Sequence, residues 1–161
     1  MSRLDLFIDR MVSQRACIDD AAARIVGLPG PVLELGLGNG RTYDHLKNHL
    51  PGREIYVFDR EVASHPMSTP PDDRIVLGNF LETLPAFLAR MGPVAALIHA
   101  DMGGHNADKN EAFARRVSAL IEPLLARGGV MVSSDRMYFA TLVELPLPDG
   151  AVTGRCFLYR R

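Results

Sequence analysis

Apolar residues recur along the chain with two different spacings, and the change from one to the other divides it. Over residues 4–26 they stand at Leu4, Phe7, Ile8, Met11, Ile18, Ala22 and Ile25, a spacing that gathers them on one face of a helix. Asp5, Asp9, Arg10, Asp19 and Arg24 fall largely off that face, and Gly27, Pro29 and Gly30 end the helix or helix pair. From Pro31 onward the stripe gives way to short apolar runs at 32–35, 55–58, 75–77, 94–98 and 130–132. Runs this short, apolar at consecutive positions, fit strands covered on both faces. Between them, 42–50, 84–91 and 108–126 carry helix signals. In the last of these, Asp108 and Glu111 make a capping-box-like start and Phe113, Val117, Leu120, Ile121 and Leu124 form a stripe. Pro123 kinks its final turn and Gly128-Gly129 stops it.

Strands alternating with helices predict right-handed crossovers and a parallel sheet with helices on both faces. After the fifth run the pattern changes again. Residues 141–147 and 155–160 read as two strands joined by a turn around Pro148-Asp149-Gly150, with no crossover helix before them. The expected architecture is an α/β domain, a five-strand parallel unit closed by a C-terminal antiparallel hairpin. One domain spans 1–161, with 1–28 as a helical cap on a core of 31–161; no repeat or linker interrupts it.

Composition narrows the partners. With 161 residues, 47% hydrophobic and 23% charged, the chain can bury a core without staples. Its 18 Lys and Arg nearly balance 19 Asp and Glu, so it lacks the basic excess of a nucleic-acid binder, and no nucleic-acid partner is expected. Cys17 and Cys156 match no metal or redox spacing and read as free thiols of a reducing compartment. Acids interrupt the apolar residues of the first ten positions, unlike a signal peptide. No apolar run approaches the roughly 20 residues that cross a bilayer. These features predict a cytoplasmic protein without a membrane partner.

The most informative segment joins the first strand to the next helix: Val32-Leu-Glu34-Leu-Gly36-Leu-Gly38-Asn-Gly40-Arg-Thr42. Glycine lets a ligand approach the main chain closely, and the helix start offers free N–H groups. A dinucleotide fold wants its third glycine one residue later, where Arg41 stands, and no Walker-type lysine and hydroxyl follow. Glu34-x-Gly36-x-Gly38-x-Gly40 instead resembles motif I of the class I S-adenosylmethionine-dependent methyltransferases, with matching spacing over about 31–135. That resemblance implies a three-layer Rossmann-like fold and S-adenosyl-L-methionine as cofactor. It also implies that Gly36, Gly38 and Gly40 wrap the methionine half while Glu34 helps place its amino group.

Further candidates follow at the strand ends. Asp59 closes the second strand, where a carboxylate can accept hydrogen bonds from both ribose hydroxyls. After the third strand, Asn79-Phe80 resembles the family's adenine site, a polar residue for the amine and an apolar one for the ring; the family more often has an acid at Asn79 and an apolar residue at Arg60. Beyond the fourth strand, Asp101 is a candidate to face the sulfonium, the substrate or a metal, and Asp101 and His105, the latter in a glycine-rich loop, are the candidate general bases for an oxygen acceptor. His99 reads as a hydrogen-bonded histidine within the sheet, and His45, His49 and His65 show no metal-ligand spacing. Asp101 with Asp135 distantly resembles the acid pair that holds Mg²⁺ in catechol-type O-methyltransferases. Arg136 replaces that family's amide and two oxygens suit an octahedral ion poorly, so no metal is expected.

The resulting expectation is methyl transfer to a small-molecule acceptor that the motifs leave unidentified. The Asn/Asp-Pro-Pro-aromatic signature of amino-group methylases is missing from the sequence. Two other readings remain: a non-catalytic S-adenosylmethionine-binding or regulatory module, and an NAD(P)-linked oxidoreductase. The apolar N-terminal face and the hairpin also predict a homo-oligomer paired through a twofold axis.

Overall fold

A computed structural model of the chain describes residues 1–103 and 107–161, with the side chain of residue 107 also left aside. The first apolar stripe forms a single helix, α1 (Arg3–Arg24), opened by a reciprocal cap between Ser2 and Asp5. Five strands and three helices follow: β1 (Val32–Leu35), α2 (Arg41–His49), β2 (Ile55–Asp59), β3 (Ile75–Leu77), α3 (Phe80–Met91), β4 (Ala95–Ala100), α4 (Ala107–Ile121) and β5 (Leu125–Ser133), the link from β2 to β3 being two short 3₁₀ turns. The chain ends in β6 (Val143–Leu145) and β7 (Phe157–Arg160). The sheet order is β3-β2-β1-β4-β5-β7-β6, with β1 to β5 parallel and β7 antiparallel to both β5 and β6. This is the expected mostly parallel sheet closed by a hairpin.

Strand periodicity divides the core into two halves. Val32, Val57, Leu97 and Val132 pack toward α1 and α2, against Cys17, Ile18, Ala21 and Leu46. Leu33, Leu35, Phe58, Ile98 and Met131 pack toward α3 and α4, against Leu84, Phe87, Val117 and Ile121. Glu34 and His99 are register partners across β1 and β4, so a buried acid and a buried imidazole meet among the apolar side chains.

Three elements depart from the sequence expectation. α3 starts at Phe80, a turn earlier than expected, because the Asn79 side chain accepts from Leu81 N–H as its cap. α4 ends at Ile121, and Pro123 sits in a 3₁₀ turn. Gly128 and Gly129 therefore lie inside β5, where the register with β4 shifts between Ala95 and Leu97 and Gly128 takes φ +82°. Glycines that end a helix serve equally to bulge a strand. Finally, the first half of α1 overhangs the core: Leu4, Phe7 and Ile8 are 65%, 47% and 49% exposed.

Candidate functional site

The carboxyl ends of β1, β2 and β4 surround a cleft of about 490 Å³, within the roughly 300–1,000 Å³ usual for small-molecule sites. Gly36, Gly38, Asp59, Arg60, Phe80, Asp101, Met102, Gly103, Asn110 and Phe113 contribute to its wall. The sheet places them, since the order reverses between β1 and β4 and opens a crevice there.

The three motif glycines do different work. A Cβ on Gly36 would overlap the Asp101 carbonyl oxygen, and one on Gly40 the Ser68 carbonyl oxygen, so both positions let main chain pass close. A Cβ on Gly38 would meet no atom within 4 Å; it would project into free space at the mouth of the cleft. Beside it, Asp59 Oδ2 accepts from Leu37 N–H at 2.7 Å and Gly38 N–H at 3.3 Å, while Oδ1 accepts from Arg60 N–H at 2.6 Å.

Behind the loop runs a buried polar chain. Thr42 Oγ1 donates to Glu34 Oε1, and His99 Nδ1 lies 2.8 Å from Glu34 Oε2. Gln14 Nε2 lies 3.2 Å from His99 Nε2 and donates to Asp101 Oδ2 at 3.2 Å. Arg10 Nη2 reaches both Asp101 oxygens, at 2.8 and 2.6 Å. Burial disfavours the charged form of His99, but the charge and hydrogen bond of Glu34 outweigh it and hold its pKa above the ordinary value. For Asp135, burial first and the charge of Asp101 second raise the pKa, with Arg10 opposing.

The comparisons with known proteins bear on this geometry. The family model described as S-adenosyl-L-methionine methyltransferase matches residues 1–161. The chain belongs to that family. A crystal structure of an S-adenosyl-L-methionine methyl transferase from Silicibacter pomeroyi DSS-3 is 69% identical, with TM-score 0.98 over 100% of this chain and 99% of that one. Human methyltransferase-like protein 13 in complex with SAH is 15% identical, with TM-score 0.58 over 95% of this chain and 80% of that one. The MycE methyltransferase of the mycinamycin biosynthetic pathway, in complex with Mg and SAH, is 19% identical, with TM-score 0.60 over 89% of this chain and 44% of that one; at this distance such likenesses describe the fold. No curated protein matches the sequence.

The residues of this methyltransferase suit S-adenosyl-L-methionine. Open main chain at Gly38, the Asp59 carboxylate beside it and the aromatic Phe80 in the same cleft fit a ligand with ribose hydroxyls and a flat base. Gly36, Gly38, Asp59, Phe80 and Asp101 share the cleft. Other sequence candidates stand back from it. Glu34 is wholly buried with both oxygens engaged, so it supports the loop through Thr42 and exposes no oxygen to a ligand. Gly40 faces the Ser64–Ser68 backbone turn, and the amide oxygen of Asn79 caps α3. Arg136 pairs with Glu144, away from Asp101. His105 lies outside the described residues.

Arg10 and Gln14 are the site neighbours that the sequence reading left out. Their signal was present: with Cys17, Ile18 and Ala21 they continue one helical face, the one that α1 buries. Arg10 carries a charge on that face, which an apolar pattern does not mark, and its partner Asp101 is distant in the chain.

Proposed function

We propose that the cleft holds S-adenosyl-L-methionine with Asp59 on the ribose hydroxyls, Gly36 and Gly38 against the methionine part, and Phe80 and Phe113 about the adenine. Asp101 then stands at the reactive end. A small-molecule acceptor enters between α1 and residues 101–103. The observation that carries this reading is the cleft at the carboxyl ends of β1, β2 and β4 in which Gly36, Gly38, Asp59, Phe80 and Asp101 stand together.

When bound, the cofactor supplies a methyl group made electrophilic by a positively charged sulfur. The protein's part is to align the acceptor and to hold compensating charge. Arg10 and Gln14 fix the Asp101 carboxylate in one orientation, so its negative charge is set before any ligand arrives. For a hydroxyl acceptor, Asp101 is the carboxylate that lines the cleft and can take the proton, backed by Asp135, whose pKa is raised by burial first and the charge of Asp101 second. Asp135 Oδ2 lies against Gly103, where any Cβ would overlap it.

Calorimetry with S-adenosylhomocysteine tests the assignment. Asp59→Ala is expected to weaken binding by about 1.5–3 kcal/mol, the loss of charge-assisted hydrogen bonds. Unchanged affinity in a folded variant would remove Asp59 from the site.

A further inference from the structure

One cluster of metal-ligating side chains lies apart from the cleft. Asp19 of α1 faces two histidines of α2: His45 Nε2 is 2.7 Å and His49 Nε2 3.5 Å from the same oxygen, Asp19 Oδ1. One ligand atom from each of the three falls within 4.8 Å of the others. This corrects the sequence expectation that these histidines offer no metal-ligand spacing: the four-residue interval sets both imidazoles on one face of α2, as in helices whose paired histidines share a metal, and the third donor, Asp19, comes from a distant part of the chain. Their rings lie 3.9 Å apart between centroids, tilted. His49 Nδ1 is 3.0 Å from the His45 carbonyl oxygen. In neutral His49 that bond puts the proton on Nδ1 and the lone pair on Nε2, the orientation that backbone carbonyls impose on metal-bound histidines. The lone pair then faces a carboxylate oxygen, an arrangement that repels when empty and coordinates when a cation lies between.

We propose that Asp19, His45 and His49 bind a divalent transition metal, zinc above all, which staples α1 to α2. Two imidazoles and one carboxylate suit Zn²⁺ better than Mg²⁺ or Ca²⁺, whose sites are built from oxygen. Water completes the coordination, since all three side chains are partly open to solvent. None of the three lines the cleft, so the metal is structural. Asp19 stands five residues beyond Gln14, roughly 7.5 Å along the helix, and the staple steadies the helix that carries Arg10 and Gln14 to Asp101.

The test is a Zn²⁺ titration of the full chain, freed of metal by a chelator and dialysed, followed by calorimetry and by thermal melting. One Zn²⁺ per chain and a melting temperature several degrees higher at saturation are expected. His49→Ala, at a position 46% exposed and so compatible with folding, should lower the affinity about tenfold or more and abolish the thermal shift. Asp19→Asn should lose the shift as well. Absence of saturable binding would overturn the proposal. So would His49→Ala binding Zn²⁺ as tightly as the parent chain, because the metal would then sit elsewhere.

Discussion

Gly36 and Gly38 stand two residues apart in one loop, yet substitution should separate them cleanly. Gly38→Val carries backbone strain at φ +51° but its Cβ would meet no protein atom, so it is expected to keep the far-ultraviolet dichroism of the parent while abolishing S-adenosylhomocysteine binding. Gly36→Val should instead lower stability by several kcal/mol, because its Cβ would collide with the Asp101 main chain at φ +94°. A Gly38 variant that binds normally would make the loop purely structural. His99 gives a pH dependence of defined sign. Its folded pKa is raised above 6.5, so the stability it contributes is fully present below that value. It is lost as pH rises through the folded pKa. Urea midpoints should therefore fall as pH rises above 6.5, and His99→Asn should flatten that slope; a parallel decline in both proteins would sink the argument. The residues that act locally were legible in the sequence. Glycines, the Asp at the end of β2 and the Phe after β3 carry their meaning in short-range order. Arg10, which meets Asp101 from 91 positions away, and Asp19, which meets His45 from 26 away, do not.

Among the elements, α1 is divided between two environments. Its second half buries Gln14, Cys17, Ile18, Ala21 and Ala22, while its first half reaches the carboxyl end of the central strand β4 through the Arg10–Asp101 pair. Arg10→Ala should cost no more than about 1 kcal/mol, because the guanidinium is 43% exposed. Its clearer effect should be local. Hydrogen exchange is expected to quicken in residues 4–12 and to stay slow in 17–24; acceleration along the whole of α1 would show that the ion pair does not hold the first half separately. The strands were readable because apolar runs on both faces distinguish buried parallel strands. The break between α4 and β5 was not, since Leu124 and Leu125 extend the apolar stripe straight through Pro123 and only the tertiary register with β4 decides that Leu125 opens a strand.

For the whole molecule, the unburied apolar side chains of α1 define an expectation about assembly. Leu4, Phe7, Ile8 and Val12 are all exposed, more apolar surface than a lone helix end usually shows. Pairing of two copies through this face is the expected outcome, and light scattering coupled to gel filtration should give twice 17.7 kDa. A mass of 17.7 kDa at micromolar concentration would dismiss it. Among the described residues no helix is long and apolar enough to cross a membrane. That the first five strands run parallel was inferable from alternation, but not their order, nor the placing of β7 between β5 and β6, which depend on pairings between chain segments of similar composition.

The carboxylate of Asp59 already occupies the N–H groups of Leu37 and Gly38. In folds that grip pyrophosphate, donors of this kind meet the ligand's anionic oxygens. Here they meet an internal anion, so a dinucleotide would have to evict one negative charge in order to bring its own. A cofactor with a positive sulfur encounters no such conflict. The loop thus sorts adenosine-bearing ligands by charge before shape is consulted. NAD⁺ or NADP⁺ added in excess should leave the calorimetric isotherm of S-adenosylhomocysteine unchanged, and competition by either would show that the donors remain available to phosphate.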